Sequence, residues 1–178
     1  GHASIPTDTI VEYTKKGIRL ASGEHLEADI IVTATGLDLR VLGDVELSVD
    51  DQPVDIPQTW SYTSLMFSDV PNLVSTFGYI NASWTLKADI TAEYSCRLLN
   101  HMAETGMRQC TPRLQEPDMA GEDWIGGFSS GYIQRKIHLL PKQGTESPWL
   151  NTQNYALDKK VIRDGPIEDG VLQFTNKA

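Results

Sequence analysis

The chain has 178 residues, of which 40% are apolar and 22% charged, and its formal net charge is −9. This composition supports a folded domain with a hydrophobic core and excludes a chain that is disordered by composition. The acidic balance argues against nucleic-acid binding, and no apolar run approaches the roughly 18 residues of a membrane span. Two cysteines are too few for a disulfide framework, so we expect a cytoplasmic protein.

The cysteines and the four histidines are scattered along the chain at none of the usual metal-ligand spacings, so no metal site is predicted. Free cysteines usually behave as small buried hydrophobes. We therefore expect Cys96 to be a packing residue and Cys110 to be a thiol in a loop.

The first third of the chain predicts β-structure. Residues 9–14 and 18–21 are rich in β-branched and aromatic residues and are separated by turns that contain glycine, which is typical of a β-meander. Residues 29–36 contain three consecutive apolar residues and therefore predict a strand that is buried on both faces, as in a parallel sheet. Further extended segments are predicted at residues 45–49, 60–66 and 73–77.

Residues 85–103 predict a long, largely buried helix. Its apolar side chains recur at every fourth position, and a capping Ser83 or Thr85 precedes them while Gly106 follows. Glu93 and Arg97 have the spacing of an ion pair on the helix surface. The apolar stripe consists of Leu86, Ile90, Tyr94, Leu98 and Met102.

The last third predicts less regular structure. Residues 110–127 are rich in proline, glycine and acidic residues, which is typical of a loop. Two shorter helices are predicted at residues 130–140 and 153–163, because proline and glycine residues bound both segments.

Two segments are candidates for ligand binding. Residues 33–36 end the predicted buried strand in small residues, where ligands of α/β sheets bind, and residues 76–85 lead into a helix N-terminus whose free N–H groups favour anions. Trp84 could stack on a planar ring. Each segment could equally be structural, as a strand that ends in a glycine turn and as a capped helix with Trp84 in the core.

Several motifs occur together in a fixed order along nearly the whole chain. They are I-V-T-A-T-G-L (31–37), D-V-P-N-L (69–73), G-Y-I-N-A-S-W-T-L-K-A-D (78–89), R-L-L-N (97–100), F-S-S-G-Y-I (128–133), L-P-K-Q-G (140–144), P-W (148–149) and T-Q-N-Y (152–155). This order resembles the flavin-dependent Baeyer–Villiger monooxygenases, and most closely the subgroup of the ethionamide-activating enzyme.

The resemblance implies an α/β fold, or α+β for the isolated segment. The chain would be the C-terminal part of a flavoprotein with two dinucleotide-binding domains. Residues 1–109 would then include the end of the NADPH domain and the returning portion of the FAD domain, and residues 110–178 a loop and a helical extension. The expected architecture is a β-meander, a buried strand and a long helix.

The resemblance also implies a function and its residues. The intact parent would use FAD and NADPH to oxidise ketones, or to oxygenate sulfur or nitrogen, through a flavin C4a-peroxide. Substrates would be small ketones or thioethers, with Trp84 in the substrate pocket. The residues expected near the flavin are Thr35, Gly36, Asn81, Ala82, Ser83 and Thr85.

This sequence has no G-x-G-x-x-G fingerprint, which in the family holds the pyrophosphates of FAD and NADPH. We therefore expect no tightly bound cofactor and no activity from this chain alone, and its catalytic residues remain unknown. We also expect it to self-associate through apolar faces that other domains would cover.

Two alternatives remain open. The chain could be a non-catalytic interaction module, or a half-protein that completes a partner chain carrying the fingerprints. A disulfide reductase would need a redox cysteine pair, and the sequence has none.

Overall fold

The computed structural model describes residues 3–116 and 119–176. Backbone contacts divide the chain into two compact units, Gly1–Leu37 and Asp38–Ala178. The predicted boundary between residues 109 and 110 concerns the domains of a larger flavoprotein and stays a prediction.

The N-terminal unit is a three-stranded antiparallel meander of β1 (Ile10–Thr14), β2 (Gly17–Leu20) and β3 (His25–Glu27). A side chain at Gly17 would come within 1.9 Å of the carbonyl oxygen of Leu26, so a glycine lets β2 approach β3 this closely. The two predicted strands are confirmed within one residue at their ends, whereas β3 was not predicted.

The prediction of a buried strand at residues 29–36 is wrong for this structure. The segment has no regular secondary structure, and Ile30 and Val32 are 82% and 83% exposed. A strand needs hydrogen-bonding neighbours, and no strand of the described residues pairs with this segment. The described residues supply no layer that would cover this apolar segment.

The second unit is organised by helix α1 (Trp84–Thr105). Ser83 caps its start by accepting a hydrogen bond from the Thr85 N–H, and Gly106 ends it in the left-handed conformation (φ 70°). The helix and both caps are therefore confirmed. The helix is not largely buried, because only five of its 22 residues are buried, namely Lys87, Ile90, Thr91, Tyr94 and Leu98. Its apolar stripe enters the main core, whose buried members are Tyr62, Leu65, Met66, Ile90, Tyr94, Leu98, Cys110, Trp149, Ile162 and Leu172.

Short antiparallel pairs and short helical segments surround α1. The strands are β4 (Ser48–Val49) with β5 (Gln52–Pro53), β6 (Ser61–Tyr62) with β7 (Met66–Phe67), β8 (Gln109–Pro112) with β11 (Leu172–Thr175), and β9 (Glu122–Asp123) with β10 (Lys142–Gln143). The helical segments are α2 (Gly131–Gln134), α3 (Tyr155–Asp158), a π-helical turn (Lys159–Arg163) and 3-10 turns at Val41–Asp44, Ile56–Gln58 and Ile137–Leu139.

Several local predictions for this unit require correction. Residues 73–77 form no strand, and residues 60–66 form most of a hairpin instead of one extended run. The predicted loop at residues 110–127 contains most of β8 and all of β9, while its residues 117–118 lie outside the described residues. These short strands lack the long hydrophobic alternation by which a strand is recognised in sequence.

The two cysteines have the opposite of their predicted environments. Cys96 is exposed on α1, because it lies off the apolar stripe, and Cys110 is buried because β8 packs into the core. The predicted pair of Glu93 and Arg97 is also absent. Glu93 instead accepts a hydrogen bond from Arg163. Arg97 donates to the backbone carbonyl oxygens of Ile162 and Arg163.

We predict that Ile90→Ala lowers the free energy of unfolding by about 2–5 kcal/mol, because Ile90 is fully buried where α1 meets the core. Leu99→Ala is the matched control on the same helix. Its side chain is 64% exposed, so we expect a change within about 0.5 kcal/mol. Urea denaturation followed by circular dichroism measures both, and equal losses would contradict this position of the core.

Candidate functional site

An apolar cavity of about 250 Å³ lies beside the start of α1. Three aromatic rings form one side of it. Phe77 packs against Trp84 with ring centroids 5.0 Å apart, and against Trp124 at 4.8 Å. The remaining lining residues are Leu39, Arg40, Val41, Leu42, Gly43, Phe67, Ser75, Thr76, Leu140 and Pro141. A cavity with this lining suits an apolar ligand or the apolar part of a larger one.

Trp84 is the first residue of α1 and is 55% exposed, so it is not a core residue. Its indole ring lies directly over Gly78, where an added Cβ would come within 2.1 Å of the ring atom Cγ. A glycine at this position therefore determines where the indole can lie. The sequence offered a ring-stacking site and a core position as alternatives, and the structure places Trp84 at the cavity wall.

Trp124 supplies the one polar group that the aromatic side of the cavity buries. The residue is 6% exposed, and its indole Nε1 has no hydrogen-bond partner among the described residues. A buried donor without a partner typically costs about 1–3 kcal/mol.

Residues 81–85 form an exposed surface at the N-terminus of α1. Asn81, Ala82, Ser83 and Thr85 are all exposed, and their side chains are small or polar. The Thr85 N–H donates to the Ser83 hydroxyl at 3.4 Å, and the Leu86 N–H donates to the Ser83 carbonyl at 3.2 Å. This terminus can accept a partly negative group through the positive end of the helix dipole.

A neighbouring loop holds this segment in place through side-chain hydrogen bonds. The Ile80 N–H donates to the Gln153 side-chain oxygen at 2.9 Å, and the Asn81 amide donates to the Gln153 carbonyl at 3.2 Å. Gln153 in turn donates to Asn151, and Asn151 donates to the carbonyl of Trp124. Both the helix terminus and the cavity wall are thus joined to one short loop.

A buried ion pair lies directly beneath the first turns of α1. The Lys87 ammonium and the Asp158 carboxylate are 2.8 Å apart, and their side chains are 1% and 3% exposed. Burial lowers the pKa of Lys87 below its usual value, and the nearby Asp158 partly opposes this shift. The Tyr79 hydroxyl also donates to Asp158, and burial together with this bond raises the pKa of Tyr79.

The predicted site residues fall into both units. Thr35 and Gly36 are exposed residues of the N-terminal unit, in the segment without regular structure, and Gly36 has a φ of 95°. The other five are consecutive, at residues 81–85 in the second unit. The structure places residues 81–85 together at the exposed start of α1, and their roles stay predictions.

Sequence analysis missed three residues that shape this site, namely Trp124, Gln153 and Asp158. Trp124 lay in a segment predicted as a loop. Gln153 contacts Ile80, just before α1, and Asp158 contacts Lys87 within α1, each from more than 70 residues away. One local signal existed. Lys87 lies on the helix face of Ile90, Tyr94 and Leu98, and a lysine on a buried face needs a partner. The partner itself has no sequence signature.

Within residues 3–116 and 119–176, no group of three or more potential ligand side chains could hold a metal ion. No helix in the same part of the chain combines the length and the apolar composition that a membrane crossing needs.

Comparison with known proteins identifies relatives along the whole chain. The chain is 45% identical over 177 residues to the probable FAD-binding monooxygenase AlmA of Acinetobacter baylyi, covering 99% of this chain and 36% of AlmA. It is 45% identical over 176 residues to the FAD-containing monooxygenase EthA of Mycolicibacterium smegmatis, covering 98% of this chain and 35% of that protein. It is 44% identical over 177 residues to EthA of Mycobacterium tuberculosis, covering 99% and 36%.

These relatives share one class, the FAD-binding or FAD-containing monooxygenases. The chain is similar to these proteins over its whole length and spans about 36% of the length of the relatives it matches. The resemblance seen in the motifs is thereby confirmed. No family model and no solved structure matches the chain.

We predict that Gly78→Ala displaces the Trp84 indole, because the added methyl group would overlap the ring. Trp84 is the most exposed of the four tryptophans, so iodide quenching of fluorescence reports mainly on it. We expect a larger quenched fraction and a loss of about 1–3 kcal/mol in unfolding free energy.

Gly126→Ala is the control, since an added Cβ there meets nothing within 4 Å. Quenching that is unchanged in Gly78→Ala would show that the indole does not depend on Gly78.

Proposed function

We propose that this chain is the C-terminal part of an FAD- and NADPH-dependent monooxygenase that oxidises ketones by the Baeyer–Villiger reaction or oxygenates sulfur or nitrogen. The observation that carries the proposal is the apolar cavity beside the exposed N-terminus of α1, in a chain whose relatives are FAD-containing monooxygenases. When bound, reduced FAD supplies the activation of dioxygen.

The residues at the start of α1 fit the negatively polarised edge of a flavin. Asn81, Ala82 and Ser83 are exposed, so a ligand can approach the start of the helix, and Thr85 adds a hydroxyl within the same turn. A helix N-terminus stabilises a neighbouring negative charge by about 0.3–1 kcal/mol at exposed sites. We assign Thr35 and Gly36 to the same cofactor, on the basis of the A-T-G motif alone.

The cavity fits the organic substrate. Its lining excludes water from an apolar substrate, and Trp84 forms the part of the wall nearest to the helix N-terminus. The proposed roles of these residues are to orient the ligand and to exclude water, and none of them transfers a proton.

A second function is favoured by one observation. Ile30 and Val32 are exposed in an apolar segment that has no neighbouring strand among the described residues. A partner chain could supply those neighbours, so the chain could act as a half-protein that completes a flavoprotein. In both cases the sequence lacks the fingerprint that holds a dinucleotide pyrophosphate.

We predict that the isolated chain binds FAD weakly and does not oxidise NADPH in the presence of a ketone, because it lacks that fingerprint. Flavin absorbance near 450 nm after purification and titration with FAD measure binding. A longer protein that contains this chain and the fingerprints should be yellow and active. Submicromolar binding of FAD by the isolated chain, with turnover that depends on ketone, would contradict the proposal.

We predict that Trp84→Ala in that longer protein raises the peroxide released per NADPH and alters substrate preference more than it affects folding. A half-exposed tryptophan should cost less than the roughly 3–5 kcal/mol of a buried one. Trp149→Ala is the control, because Trp149 is 8% exposed and belongs to the core, so its loss should lower the thermal midpoint strongly. A large fall in the midpoint of Trp84→Ala with unchanged coupling would show that Trp84 is a packing residue.

A further inference from the structure

Asp158 accepts hydrogen bonds from three residues within and around the start of α1. The Tyr79 hydroxyl and the Lys87 ammonium donate to Oδ2 at 2.7 and 2.8 Å, and the Thr152 hydroxyl donates to Oδ1 at 2.5 Å. Tyr79 directly precedes residues 80–86, and Lys87 directly follows them. One carboxylate therefore holds both ends of the segment that contains Trp84 and the helix terminus.

The burial of this cluster makes its geometry restrictive. Asp158 and Tyr79 are each 2% exposed as whole residues, and Lys87 is 1% exposed. A buried charge is tolerated only when its partners satisfy it, so small displacements of either end of the segment are unfavourable. Gln153 adds two further bonds to the same segment, at Ile80 and Asn81.

The rest of α1 has attachments of its own. Glu93 pairs with Arg163, and Arg97 donates to the carbonyl oxygens of Ile162 and Gly165. Ile90, Tyr94 and Leu98 lie in the core. Loss of the bonds to Asp158 would therefore release the start of α1 while its middle and its C-terminal half stay in place.

We propose that Asp158 is a positioning residue of the candidate site. Acting through Tyr79 and Lys87, it fixes residues 80–86 so that Trp84 and the N-terminus of α1 keep their places beside the cavity. The structural part of this assignment stands on its own contacts, and its consequence for oxidation rests on the proposed function.

Amide hydrogen exchange on the chain itself tests the structural part. In Asp158→Asn, exchange of residues 80–87 should become at least tenfold faster, while residues 94–105 should change less than twofold. Glu93→Gln is the matched control, because it breaks the other ion pair that joins α1 to the same C-terminal segment. We expect less than a twofold change at residues 80–87 in that variant.

Equal acceleration along the whole of α1, or none at residues 80–87, would overturn the assignment. Tyr79→Phe removes one of the two bonds through which Asp158 holds the segment and leaves the ion pair intact, so it gives the answer if Asp158→Asn does not fold. A local acceleration of at least threefold at residues 80–87 in Tyr79→Phe is the expected result, and exchange equal to that of the wild type would overturn the proposal.

The coupling of NADPH oxidation to substrate oxidation tests the functional part, in the longer protein that contains this chain. Asp158→Asn, or Tyr79→Phe in its place, should raise the peroxide released per NADPH at least twofold, whereas Glu93→Gln should not. Unchanged coupling alongside a local change in exchange would overturn the role in the site. If the wild-type longer protein binds no flavin, the proposed function fails, and the exchange result still decides whether Asp158 positions the segment.

Discussion

The contact between Lys87 and Asp158 is the constraint on which the arrangement of the candidate site depends. It places two opposite charges in the interior, 2.8 Å apart, where neither is tolerated without the other. Such a pair adds little net stability compared with apolar residues of similar size, but it permits few alternative arrangements. Here it joins the first turns of α1 to α3, and its two residues are 71 positions apart in sequence.

Around this ion pair the site combines two different environments. One is polar and exposed, at residues 81–85, where the N-terminus of α1 meets solvent. The other is apolar, where Phe77 separates Trp84 from Trp124 along the cavity wall. Trp84 belongs to both, since it opens the helix and lines the cavity. A redox cofactor with a polar edge, next to an apolar substrate, needs this combination.

The elements that sequence analysis predicted well are those whose determinants are local. The helix cap at Ser83, the glycine at its end and the turn at Gly17 are set by neighbouring residues. The elements it missed depend on distant partners. Strand β8 pairs with β11, which lies about 60 residues further along, and the burial of Cys110 follows from that pairing.

The residues of the candidate site fall into the same two groups, those with local determinants and those that depend on distant partners. Residues 81–85 could be predicted from a familiar motif before a helix, and Trp84 from its place in that motif. Gln153, Asp158 and Trp124 could not, because their roles arise from hydrogen bonds and packing across the fold. The strand predicted at residues 29–36 failed for the opposite reason, since its pattern was clear and its neighbours are absent from the described residues.

A crystal structure of a longer FAD-bound protein that contains this chain tests the central claim most directly. The flavin ring is predicted to contact residues 81–85 on the side where Trp84 lines the cavity. The buried pair of Lys87 and Asp158 should be unchanged beneath them. A flavin bound elsewhere, with no contact to these residues and the cavity closed by other side chains, would contradict the assignment of this site.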